Sequence, residues 1–184
     1  MNNTSSHYET LTKAFIEKQT ADRTYMDESQ RLVGLISEGF RKYAAFPESY
    51  KHHDGSERRY IPCFGLDPKG QFHPVDDHRK AINYFPNQAI EFGMGVVLEE
   101  APDQYPKAVV RFRVGCQRQD GQVQADIGGT RVDFAFDGQD SPDIEKAYLK
   151  ILDLLQEFIN RRIGQFVELE EDEQYQVGFD LDSD

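Results

Sequence analysis

The feature that most restricts this chain is a pair of two-residue turns, Asp120-Gly121 and Gly128-Gly129, set in alternating apolar sequence that runs from Ile90 to Phe136. A two-residue loop decides which residues of a hairpin face each other. The first loop sets Cys116 opposite Ala125 and Val114 opposite Ile127. The second sets Ala125 opposite Val132, Val123 opposite Phe134 and Asp126 opposite Arg131. Both hairpins agree on one apolar face, and a slip of one residue in either would turn its apolar set into water. Upstream, Ile90, Phe92, Met94, Val96 and Leu98 alternate with Glu91, Gly93, Gly95, Val97 and Glu99. After a loop over 100–106, Ala108, Val110, Phe112, Val114 and Cys116 repeat the pattern. Period-two alternation of this kind marks half-buried strands. An antiparallel meander is expected, with strands at about 89–98, 107–117, 122–127 and 130–136.

A sheet with one apolar face needs a cover, and the sequence supplies one directly downstream. Ser141 can cap, Pro142 suits a first helical position, and Asp143 and Glu145 complement the positive end of a helix over about 142–163. Arg161 and Arg162 suit its negative end, and Gly164 stops it. Ile144, Tyr148, Ile151, Leu152, Leu155, Phe158 and Ile159 share its apolar side. The first 46 residues read as N-terminal helices. Tyr8, Leu11 and Phe15 give a short stripe, and Leu32, Ile36, Phe40 and Tyr43 a second, stopped by Pro47. Residues 47–88 form an irregular segment punctuated by prolines, with a strand at about 58–66 that Pro62 should confine to an edge. The expected fold is therefore α+β: N-terminal helices, an antiparallel sheet of four to five strands, and a closing amphipathic helix on one face. Residues 1–167 read as one domain followed by an acidic tail, 168–184.

Composition narrows the functional classes. The formal net charge is -12, and the tail alone carries eight acidic residues and no basic one. Nucleic acid and anionic membranes, which need clustered Lys and Arg, are poor expectations, and a basic protein is the natural partner. The start of the chain has no basic and apolar leader, and no apolar run is long enough for a membrane span, so a cytoplasmic protein is expected. Cys63 and Cys116, 53 residues apart in strand-like sequence, read as buried thiols.

No motif names a reaction. His73, Asp76, Asp77 and His78 place two imidazoles and two carboxylates within six residues, with His52, His53 and Asp54 upstream, which suggests a metal-dependent hydrolase or nuclease as an alternative. The two histidines are five apart with Pro74 between them, so no helix face can present both. A polar turn in which Asp76 or Asp77 caps a short helix is the expected reading. The segment 58–87 is the one locally basic stretch, and Arg58, Arg59, Tyr60 and Phe64 are candidate binding residues there. Arg111, Arg113 and Arg131 join them from the polar side of the sheet. Gly93 and Gly95 leave room on a strand face for an overlying group, a helix or a small ligand, which gives a third reading as a small-molecule-binding domain. Val177, Phe179 and Leu181 alternate within the tail and could add an edge strand to this chain or to a partner. The leading expectation is a non-enzymatic interaction protein with no cofactor, a small acidic regulator, inhibitor, chaperone or immunity-type factor, with self-association open.

Overall fold

The computed structural model describes residues 6–99, 107–160 and 179–181, the last three as backbone. Its chain begins with one helix, α1, His7–Tyr43. Sequence reading expects two helices here because the apolar stripe lapses between Phe15 and Leu32. The backbone continues through the lapse because nothing in 7–33 is Gly or Pro, and Lys13–Glu17 and Lys18–Asp22 pairs at i,i+4 support the polar stretch. A capping box starts the helix: the Glu9 N–H donates to Ser6 Oγ at 3.2 Å, and the Ser6 N–H to Glu9 Oε2 at 2.8 Å. Its end precedes Pro47. Ala45 takes a left-handed φ of 57°, and the N–H of Phe46 reaches back to the Arg41 carbonyl at 2.9 Å. That is a Schellman stop with alanine where glycine is usual.

Among the described residues ten strands and a second helix follow. β1, Ser49–Lys51, pairs with β2, Glu57–Arg59, as a separate small hairpin. The remaining strands are β3, Cys63–Leu66; β4, Phe72–Pro74; β5, Asn83–Tyr84; β6, Ala89–Leu98; β7, Ala108–Gln119; β8, Gln122–Ile127; β9, Thr130–Ala135; and β10, Phe179–Leu181. Their antiparallel order is β4-β3-β6-β7-β8-β9, with β5 on β6 and β10 on β7. The expected registers are present pair for pair: Cys116 opposite Ala125, Val114 opposite Ile127, Ala125 opposite Val132, Val123 opposite Phe134, and Asp126 opposite Arg131. Asp120, Gly121, Gly128 and Gly129 all have positive φ, as the tight turns require.

The single strand expected over 58–66 is two strands. Pro62 breaks the run between β2 and β3, and β3 lies inside the sheet, not at its edge, with three-residue β4 outside it. The proline is tolerated because only its carbonyl is used, accepting the Gly95 N–H at 2.9 Å.

Both helices cover the same sheet face. Leu32, Val33, Ile36 and Phe40 of α1 and Ala147, Tyr148, Ile151 and Leu155 of α2, Glu145–Asn160, share one core with Phe92, Met94, Phe112, Val114, Ile127 and Phe134. They meet where Tyr148 donates to the Leu35 carbonyl at 2.8 Å, beside Gly39, whose missing side chain leaves room for the tyrosine ring. α2 starts three residues later than expected. Ser141 does not cap it: its hydroxyl donates to the Ala135 carbonyl at 2.5 Å, and Asp143 accepts the Ala135 N–H at 2.7 Å, so the segment before the helix is tied to β9. Leu152 and Ile159, expected on the buried side, are 36% and 58% exposed, since the helix buries a narrower stripe than its full apolar arc. Arg161, Arg162 and Gly164 lie outside the described residues.

Candidate interaction surfaces

Three surfaces remain once the core is assigned. The first is the front half of α1. Tyr25 donates to the Ala89 carbonyl at 2.7 Å, Arg118 bonds Glu28 at 2.7 Å and lies 4.9 Å over the Tyr25 ring, and Arg31 donates to the Gly138 carbonyl. These contacts pin α1 at the end of the sheet. Every residue from 7 to 24 is exposed, so about 18 residues, roughly 27 Å of helix, overhang the body. Tyr8, Leu11, Phe15 and Ile16 are 77%, 71%, 61% and 56% exposed along this overhang. By spacing, the first three continue the stripe that becomes Tyr25, Ser29, Leu32 and Ile36 farther along. Sequence reading gives Tyr8, Leu11 and Phe15 as a short apolar stripe and no more, because spacing reports amphipathicity and not what lies beneath it.

The second surface is the sheet face away from the helices. Space over Gly93 and Gly95, expected to receive a helix or a ligand, is filled instead by the chain itself. A side chain at Gly93 would strike the Phe72 and Phe64 side chains, and one at Gly95 would strike Phe64 and Pro62. Phe64 is buried, and the Arg111 guanidinium sits 4.9 Å over its ring. Arg113 pairs with Glu91 at 3.0 Å. Asp126 and Arg131 oppose each other as expected, yet Asp126 turns to the Gly129 N–H at 2.9 Å, leaving Arg131 exposed beside a shallow depression of about 510 Å³ floored by Gly115. Phe64, Arg111 and Arg113 are therefore gathered on one patch, while Arg131 lies two strands away.

At the other end of that face, Arg58 and Arg59 are exposed on β2, with Arg58 3.3 Å from Asp54. Tyr60 is buried, packing with Tyr50 and Val97 in a second small core. Lys107, 1% exposed, is enclosed there: it pairs with Glu99 and lies 4.8 Å over the Tyr50 ring and 5.8 Å over that of Tyr60, whose hydroxyl also donates to Glu99 at 2.7 Å. Partial burial pushes the Glu99 carboxyl upward, but the bonds from Lys107 and Tyr60 outweigh this and hold it below its usual range. Sequence reading passes over this pair, though the strand register carries the signal: Leu98 opposes Ala108, which brings opposite charges together one step beyond.

The His/Asp cluster resolves into a turn. Asp77 caps a 3-10 turn, His78–Ala81, accepting the Arg79 N–H at 2.9 Å and pairing with the Arg79 guanidinium, which holds its carboxyl well below the usual range. Asp76 pairs with Lys80 at 2.8 Å and is likewise lowered. His73 stands exposed over Gly65, and His78 is 3.7 Å from Asp77. His52 is buried, 3.1 Å from Asp54, and stacks on His53. Among the described residues no three His, Cys, Asp or Glu side chains converge to hold a metal ion. Both cysteines are free, and burial pushes the Cys63 thiol up to about 11 and the Cys116 thiol to about 12, which keeps them protonated and unreactive at neutral pH.

The third surface is the tail strand. β10 pairs with the stretch of β7 that β8 leaves open, Phe179 opposite Val110 and Leu181 opposite Ala108. The short edge strand foreseen in the tail is thus added to this same chain; Val177 lies outside the described residues. No helix among the described residues is long and apolar enough to cross a membrane. Compared with protein-family models, with curated proteins and with solved structures, the chain finds no match.

Proposed function

We propose that this chain is a non-enzymatic interaction protein, a small acidic regulator, inhibitor, chaperone or immunity-type factor, whose partner is a protein offering an apolar groove bordered by basic side chains. The observation that carries the reading is the α1 overhang, with Tyr8, Leu11 and Phe15 more than 60% exposed on one side of a helix. Amphipathic helices gain most of their stability by burying that side, and helix-in-groove recognition uses anchors at i, i+3 and i+7, the spacing found here. Charge supports the basic rim. Residues 7–28 hold five acidic side chains against three basic, and Lys13 and Lys18 are engaged by Glu17 and Asp22.

The test uses the full chain and its Leu11→Glu, Phe15→Glu double variant as baits at about 50 and 500 mM salt. The expected result is a discrete partner held by the wild type, weakened at high salt and absent from the variant, whose circular dichroism is unchanged. Equal capture by both baits would refute the reading.

A further inference from the structure

Among the described residues β9 is the last strand of the sheet, and β8 is the one strand that pairs with it. The turn at Gly128-Gly129 closes on Ile127 opposite Thr130, and the closing pair of a two-residue hairpin is hydrogen-bonded. Alternation then directs the backbone groups of Thr130, Val132 and Phe134 toward β8, and those of Arg131, Asp133 and Ala135 outward. Ala135 bears this out, because its N–H and carbonyl are the groups taken by Asp143 and Ser141. The outward N–H and C=O of Arg131 and Asp133 have no such partner among the described residues.

Open edges are usually blunted by charged side chains, lysine above all, by proline or by a bulge. β9, Thr130–Ala135, has no lysine, proline or bulge. What it has is two outward-facing residues of opposite charge, spaced two apart, both exposed and neither in an ion pair. We propose that β9 is a self-complementary edge at which a second copy of this chain docks, antiparallel, about a twofold axis at Val132. In that arrangement Arg131 faces Asp133 of the partner subunit, and the reverse, so that four backbone hydrogen bonds and two cross-strand ion pairs form from residues that otherwise face water. Val132, part-buried at the rim of the core, meets its own counterpart. The register is unique. A shift in one direction sets Arg131 against itself, a shift in the other sets Asp133 against itself, and Ser141 and Asp143 close the edge beyond. The sheet would continue unbroken through the dimer.

The paired stretch is short, so dissociation in the micromolar range is expected. Sedimentation velocity of the full chain over roughly 1–200 µM tests the proposal. Wild type should shift from monomer toward a dimer across that range. Asp133→Arg, at an exposed site, should weaken dimerisation by roughly tenfold or more through Arg-Arg opposition. Arg131→Asp combined with Asp133→Arg should restore it, since the swapped charges again face each other. A wild type that stays monomeric would overturn the proposal, as would a double swap no better than Asp133→Arg. A dimer abolished by Leu11→Glu, Phe15→Glu and indifferent to Asp133→Arg would place the contact on α1 and overturn it equally.

Discussion

Replacing Lys107 with methionine keeps the aliphatic stem that packs between Tyr50 and Tyr60 and removes only the charge. The side chains of Lys107 and Glu99 are 2% and 15% exposed, so the variant strands a carboxylate in a largely dry site. Removing one member of a buried pair costs about 3–5 kcal/mol. The lower end applies, because Glu99 keeps its bond from Tyr60 and a little solvent. A loss of about 3 kcal/mol corresponds, for a chain of this size, to a fall in Tm of roughly 6–12 °C. Adding Glu99→Gln removes the stranded charge, so the double variant should recover most of the loss, with a coupling of about 2 kcal/mol. The effect also depends on pH in a definite sense. The Glu99 carboxyl is held below its unfolded value, so its contribution is complete above about pH 4.3 and disappears as pH falls through the folded value. Wild type and Lys107→Met should therefore converge in stability in acid. Urea titrations followed by circular dichroism at neutral pH and near pH 3 measure all three quantities. A Lys107→Met variant within about 0.5 kcal/mol of wild type at neutral pH, or a gap that widens in acid, would refute the reasoning.

Two further substitutions test the packing. Ile151→Ala empties a site that is 0% exposed and should cost about 2–5 kcal/mol in urea unfolding, whereas Leu152→Ala, 36% exposed, should cost under about 1 kcal/mol; equal losses would mean that α2 is rotated from the position described. Ala45→Gly relieves a left-handed alanine at the end of α1 and should raise the urea midpoint by the equivalent of about 0.5–1 kcal/mol, while a lowered midpoint would contradict the Schellman stop.

How much of this was legible in advance depended on whether the determining interaction was local. The β7-β8-β9 registers were readable because turn chemistry and period-two alternation act over a few residues and agree, so Cys116, Ala125 and Val132 fall on one row as expected. Asp77 as a cap was readable for the same reason. The stripe of α1 was readable as a stripe but not as two environments: Leu32 is buried because the sheet lies under it, and Leu11 is exposed because the sheet has ended. Spacing cannot report where a neighbouring element stops. The binding candidates divided similarly. Residue type alone points to Arg58, Arg59, Tyr60, Phe64, Arg111, Arg113 and Arg131, but packing draws Tyr60 and Phe64 inside and gives Arg111 and Arg113 the Phe64 ring and Glu91 as partners.

The sequence by itself determined the alternation, the turns and hence the pairing of the central strands, since each follows from backbone sterics and the burial of one face. Only the tertiary structure decided that Phe64 and Phe72 occupy the space over Gly93, that Lys107 is enclosed while Arg131 is left in water, and that the tail strand returns to β7. Those outcomes depend on which distant segments compete for the same surface, and that competition is settled by packing across the whole fold.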